Sequence, residues 1–109
     1  MNTPLVARLE TVKRALRKWD PIGVIETLEE SGLPPDEYDS YAPSVLSGVE
    51  SGESGQDLAK RLASIRVEYM GLGDRSPSER EQDIGQKLSF WRAKGYREEP
   101  DFRLSRYAV

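Results

Sequence analysis

The chain has 109 residues, of which 37% are hydrophobic and 32% charged, with a formal net charge of −3. That length suits one domain around one modest core, and the composition is not that of a disordered chain. Cysteine and histidine are both absent, which excludes disulfides, thiolate nucleophiles, Ser-His-Asp and Cys-His triads and the common zinc ligand sets. The chain therefore reads as a non-enzyme, with no catalytic residues, metal or cofactor assigned. The stretch from Met1 to Trp19 is amphipathic and lacks a continuous apolar run. Neither a signal peptide nor a membrane span is expected there, and a cytoplasmic location is the default expectation.

Thr3-Pro4 opens the first predicted helix, with a capping Thr before a Pro at the first helical position. Leu5, Leu9, Val12, Leu16 and Trp19 recur at alternating spacings of four and three, one apolar stripe of an amphipathic helix. Pro21 ends it, and Asp20 is placed to cap the next element. Ile22, Val24, Ile25 and Leu28 give apolar weight to a second helix over residues 21–31, weakened by Gly23. Gly32-Leu33-Pro34-Pro35 is the clearest break in the chain.

A third helix comes after the acidic start Asp36-Glu37-Tyr38-Asp39, with Pro43 either in its first turn or marking a kink, and Val45, Leu46 and Val49 facing inward. Ser54, three residues before Asp57, caps a fourth helix whose stripe runs Leu58, Leu62, Ile65, Tyr69 and stops at Gly71. Gly71-Leu72-Gly73 is a helix stop rather than a phosphate loop, because no strand precedes it. Ser76-Pro77-Ser78-Glu79 reads as the start of a fifth helix, with Ser76 as the cap, Ile84, Leu88 and Trp91 continuing the pattern, and Gly95 ending it. These elements predict an all-α fold: a compact bundle of four to five helices over residues 1–95, with an irregular C-terminal arm or tail over 96–109.

Charge is unevenly placed. Residues 1–19, 20–59 and 60–109 carry net charges of +4, −10 and +3, and the middle block has no Lys or Arg at all. Such a block repels nucleic acid and attracts basic surfaces. The alternative is internal neutralisation, the basic first helix pairing with the acidic middle across the fold. Within the block, Asp36, Glu37, Tyr38, Asp39 and Tyr41, together with Glu29 and Glu30, are the candidate partner-binding residues. Tyr38 and Tyr41 are three apart and would share a helical face, and tyrosine among acids combines large contact area with low rotamer entropy. Core packing of the two rings is the competing reading. Asp36, Glu37 and Asp39 lack the alternating ligands, central Gly and final Glu of a calcium loop.

Three strings carry a family likeness: Trp19-Asp20-Pro21-Ile22-Gly23-Val24, then Asp36-Glu37-Tyr38-Asp39-Ser40-Tyr41 followed by Pro43, then Glu68-Tyr69-Met70-Gly71-Leu72. Together they resemble the YugE-like family of small bacterial helical domains of unknown function, over roughly residues 5–72. The resemblance implies a small helical fold and brings no catalytic residues. Extra residues around Glu26 to Pro34, and everything after the third string, lie outside it.

The leading functional expectation is a protein-binding domain, in its concrete form an immunity or inhibitor protein that neutralises a basic protein partner through the acidic face. Two other readings stand beside it. One is a nucleic-acid-binding regulator using Arg8, Lys13, Arg14, Arg17 and Lys18, although the acidic block argues against nucleic acid. The other is a carboxylate-dependent enzyme accessory. A homodimer joining the basic helix of one copy to the acidic segment of another is also compatible with the layout.

Overall fold

In the computed structural model, residues 4–103 are described, and they form five α-helices. These are α1 (Leu5–Trp19), α2 (Ile25–Glu30), α3 (Ala42–Glu50), α4 (Gly55–Met70) and α5 (Glu79–Ala93), with a short 3-10 turn, Asp39–Tyr41, leading into α3. No strand occurs among the described residues, so the fold is an all-α bundle as the periodicities predict. No helix among them is long and apolar enough to cross a membrane.

The stripes meet in one core. Val12, Leu16 and Trp19 of α1 pack with Val45, Leu46 and Val49 of α3, Leu58, Leu62 and Ile65 of α4, and Ile84, Leu88 and Trp91 of α5. The ends of two stripes stay outside: Leu5 is 58% exposed and Tyr69 70%. The α4 stripe thus closes at Ile65, one turn earlier than its spacing predicts. The expected cap Thr3 lies outside the described residues.

Helices α4 and α5 run antiparallel and touch backbone to backbone. A Cβ on Gly85 would lie 2.3 Å from the Gly55 carbonyl oxygen and 2.9 Å from the Ala59 amide nitrogen. Glycine at 85 is therefore a packing requirement.

Helix α5 starts two residues later than its first capping signal. The sequence contains two overlapping Ser-x-x-Glu patterns, and the second one caps. The Ser78 hydroxyl accepts from the Glu81 amide at 3.1 Å, and the Glu81 carboxylate accepts from the Ser78 amide at 2.9 Å, a reciprocal capping box. The reason is burial. Glu81 is only 1% exposed, and its carboxylate also takes hydrogen bonds from Trp19 Nε1 at 2.9 Å and from Arg66 Nε and Nη2 at 2.8 and 3.1 Å. Arg66 in turn donates to the carbonyls of Leu72 and Ser76, which fixes the α4–α5 loop. Glu79, which the Ser76 signal would use, is exposed.

The second helix is also shorter than expected. Pro21 to Val24 form a turn instead of a first helical turn, and only Ile25 of α2 is buried. Its C-terminal end agrees with the sequence: Gly32 takes φ +74°, and Leu33 N donates to Leu28 O at 2.9 Å while Gly32 N donates to Glu29 O at 3.1 Å, the Schellman pattern. The C-terminal arm is packed as far as it is described. Tyr96 stands edge-on to Trp91 at 4.9 Å, Phe102 is buried in the core, and the Glu99 carboxylate accepts from Thr11 Oγ1 at 2.7 Å and Arg14 Nε at 2.8 Å. Residues 96–103 therefore belong to the packed body. Leu104 and Tyr107 lie outside the described residues.

Glu81→Ala removes the acceptor shared by Trp19, Arg66 and Ser78, leaving a largely buried guanidinium unpaired. A loss of about 3 kcal/mol in unfolding free energy by urea titration is expected. Burial opposes ionisation of Glu81, but the bonds from Arg66, Ser78 and Trp19 outweigh it and hold the carboxyl below its ordinary value of 4.5. Its stabilising contribution is therefore full above that value and is lost as pH falls through the lower native pKa. Wild type should lose stability on acidification below about pH 4.5 more steeply than Glu81→Gln, read from urea midpoints across pH.

Candidate functional site

The acidic segment is positioned by one aspartate and one tyrosine. Asp20 ends α1 in the left-handed region, with φ 35°, a conformation that Asp tolerates better than most residues. Its carboxylate accepts from the amides of Gly23 at 3.0 Å, Val24 at 3.0 Å and Ile25 at 3.3 Å. These are the donors that the start of α2 would otherwise leave unsatisfied. The Tyr38 hydroxyl donates to Asp20 Oδ1 at 2.6 Å and accepts from the Ile22 amide at 3.1 Å. Its ring packs 5.7 Å from that of Trp19. Burial, then the bond to Asp20, pushes the Tyr38 hydroxyl above its ordinary pKa. The turn after α1 and the entry to the 3-10 turn are thereby locked together, and α2 projects between them.

This placement corrects part of the predicted binding set. Tyr38 is fully buried, so it is a support of the face and offers nothing to a partner. It forms no joint surface with Tyr41: the Tyr38 ring packs into the core against Trp19, while Tyr41, in the 3-10 turn that begins at Asp39, stands half-buried beside Tyr69. Asp39 is occupied as well: its Oδ2 accepts from Arg17 at 2.9 Å. Tyr41 is half-buried, with its ring 5.8 Å from that of Tyr69. Glu29 and Glu30 on α2, and Asp36 and Glu37 on the loop after it, are exposed.

The charge layout resolves into two groups. Arg8 pairs with Glu50 at 2.7 Å, Arg17 with Asp39, and Arg61 with Glu53. Lys13 and Arg14 of the basic helix reach Glu10 and Glu99. Internal neutralisation thus takes Asp39, Glu50 and Glu53 from the acidic block, and the Tyr38 and backbone bonds take Asp20. Glu26, Glu29, Glu30, Asp36, Glu37 and Asp57 make no ion pair among the described residues, and all six are exposed. Five of them lie on α2 and the loop to residue 37.

Sequence reasoning missed the apolar residues of this region. Ile22 and Leu33, flanking α2, are 46% and 53% exposed. Periodicity and turn chemistry place both in elements but give no account of what lies opposite them. A cleft of about 450 Å³ opens beside α2, between Lys18 of α1, Ile25 and Glu29 of α2, and Phe102 and Arg103 of the arm. Arg14, Arg17 and Arg103 on its rim are each bound to a carboxylate, which leaves no set of convergent free groups for chemistry. No group of three or more His, Cys, Asp or Glu among the described residues is arranged to hold a metal ion.

Comparison of the chain with protein families, with curated proteins and with solved structures returns no match.

Tyr38→Phe removes two hydrogen bonds and leaves Asp20 Oδ1 and the Ile22 amide short of a partner. It should lower unfolding free energy by about 1–2 kcal/mol. Glu37→Gln, at an exposed position with no ion pair, should stay within about 0.5 kcal/mol of wild type. Thermal and urea unfolding of the two variants side by side tests the separation between support and surface.

Proposed function

We propose that this chain is a protein-binding module that captures a basic partner through the acidic face formed by α2 and the loop to Glu37. The observation that carries the reading is the contrast within the acidic block. Asp39, Glu50 and Glu53 are consumed by arginines, whereas Glu26, Glu29, Glu30, Asp36 and Glu37, clustered on α2 and the loop after it, are exposed and make no ion pair among the described residues. Five like charges on one short stretch destabilise the isolated fold by mutual repulsion and speed encounter with an oppositely charged surface. Ile22 and Leu33 beside them supply apolar contact within a charged rim, the usual layout of a binding patch. An immunity or inhibitor protein covering a basic toxin or enzyme is the concrete form of the proposal, with a cytoplasmic site of action. Membership of the YugE-like family is proposed with it, on the three strings around Asp20, Tyr38 and Tyr69.

The nucleic-acid reading draws less support. Of the five bases on α1, Arg8, Lys13, Arg14 and Arg17 are each bonded to a carboxylate. Phosphates would have to displace those partners.

The test replaces Glu26, Glu29, Glu30 and Glu37 by Gln and Asp36 by Asn in one variant. Tagged wild type and variant are used for capture from the native cell lysate and from co-expression with neighbouring-gene products, followed by mass spectrometry. A basic protein retained by wild type and lost by the equally stable variant is the expected result. Equal capture by both, or retention of DNA or RNA by wild type at low salt, would refute the reading.

A further inference from the structure

We infer that the excursion over residues 21–37 is a flap that opens as a unit on a fixed hinge, and that cationic charge shuts it. Its part in partner recognition rests on the binding reading above. The hinge is the bond from the Tyr38 hydroxyl to Asp20 Oδ1, 2.6 Å long, which makes the excursion leave and return at one point. Tyr38 is buried beside Trp19, so that point belongs to the core. Between Asp20 and Tyr38 only Ile25 is buried, with Val24 and Leu28 packed partly against the core. Among the described residues, hydrogen bonds from the excursion to the rest of the fold run to Asp20, Tyr38 and Asp39 alone. The cleft of about 450 Å³ lies between α2, the α1 residues Arg14, Arg17 and Lys18, and the arm. A segment held at its ends and lightly buried between them opens at a lower free energy than the whole molecule.

Charge drives the opening. Helix α2 is six residues long, too short to be stable by itself, and its charged residues are all acidic. Glu26 sits three residues from Glu29 and four from Glu30, the spacings at which like charges on a helix repel. Glu29 and Glu30 end the helix, where the dipole is already negative, and no basic residue stands in that last turn. Asp36 and Glu37 follow on the return segment. The body of the fold does not answer these charges. Of the cations lining the cleft, Arg14, Arg17 and Arg103 hold Glu99, Asp39 and Asp101. Lys18 and Glu29 both line it and make no ion pair among the described residues. The closed flap thus gathers five unpaired carboxylates, and an open chain lets them separate. Cations that collect among them favour the closed form and shift the equilibrium toward it. A basic partner therefore closes the flap as it binds, and without one the acidic face opens ahead of the core.

Amide hydrogen exchange by NMR reads the opening in the full chain. The reporters are the amides of Leu28, Ser31 and Leu33, bonded to the carbonyls of Val24, Thr27 and Leu28, set against those of Leu62 and Leu88 in the core helices. At low salt the α2 protection factors should lie at least about tenfold below the core values. Raising salt to about 300 mM shortens the screening length. It should raise the α2 protection factors about three- to fivefold, and so should penta-lysine added at low salt. The five-site carboxamide variant should show the raised protection at low salt and respond to neither addition. Exchange of the α2 amides at the core rate overturns the flap. The same salt response in wild type and variant overturns charge as its cause. A salt response without a penta-lysine response overturns closure by a basic partner. The two readings fail separately: capture of a basic protein without local opening removes the flap and keeps the acidic face, whereas salt-dependent opening without such capture removes the binding reading and keeps the flap.

Discussion

The Glu81 carboxylate is the point on which the rest of this fold depends. Burying a carboxylate is unfavourable unless every lone pair finds a donor. Here the donors come from three elements: Trp19 at the end of α1, Arg66 near the end of α4, and the Ser78 amide at the start of α5. Each donor also has a second role. Trp19 fills the core beside Tyr38, Arg66 fixes the loop carbonyls of Leu72 and Ser76, and Ser78 caps α5. One side chain therefore sets where α5 begins and how the α4–α5 loop closes, and it holds the last residue of α1. Trp19 in turn places Asp20, whose carboxylate starts α2, and Tyr38, whose hydroxyl closes that turn. The acidic face is thus tied to the buried ion pair through a short chain of contacts.

The sequence alone shows the helices well and their meeting points poorly. Stripes at spacings of three and four locate α1, α4 and α5 because a helix repeats its buried side with its own period. The cap at Ser54 and the stop at Gly32 are local chemistry, satisfied by bonds within a few residues. Choosing between Ser76 and Ser78 requires knowing that Glu81 meets Arg66 and Trp19, fifteen and sixty-two residues away. Two local signals of equal quality are separated by a tertiary one. Tyr69 illustrates the opposite limit. Its spacing from Ile65 matches the stripe, but Gly71 ends the helix and its ring meets Tyr41 at the rim instead of entering the core, so a residue with core periodicity lies on the surface.

The candidate site is half legible for the same reason. Charge is visible in sequence, and a stretch without Lys or Arg must find its counter-ions elsewhere in the chain or in a partner. Both outcomes occur. Asp39 and Glu50 meet the basic α1, and Glu53 meets Arg61, whereas the carboxylates on α2 and the loop after it do not. What decides between them is distance along the fold. Arg17 and Arg8 project from α1 onto the 3-10 turn and α3, which pack against that helix, while α2 is six residues long and stands away from it. No pattern of letters separates Asp39 from Glu37; their difference is that Asp39 lies in the 3-10 turn within reach of Arg17, whereas Glu37 lies exposed in the loop before it. Tyr38 and Tyr41 divide the same way, one into the core with its hydroxyl bonded, the other to the rim.

The division of labour has a mechanical consequence. The rigid part of the molecule is the α1–α4–α5 junction, where a buried ion pair, two tryptophans and a glycine contact leave little room for rearrangement. The acidic carboxylates sit on a part with little buried surface: Ile25 alone of α2 is buried, Val24 and Leu28 pack partly against the core, and the Asp20 carboxylate holds the start of the helix. Segments with few buried contacts open at lower free energy than the core they are attached to. A charged surface carried on such a segment can adjust to a partner without disturbing the fold, while Asp20 and Tyr38 limit how far it moves.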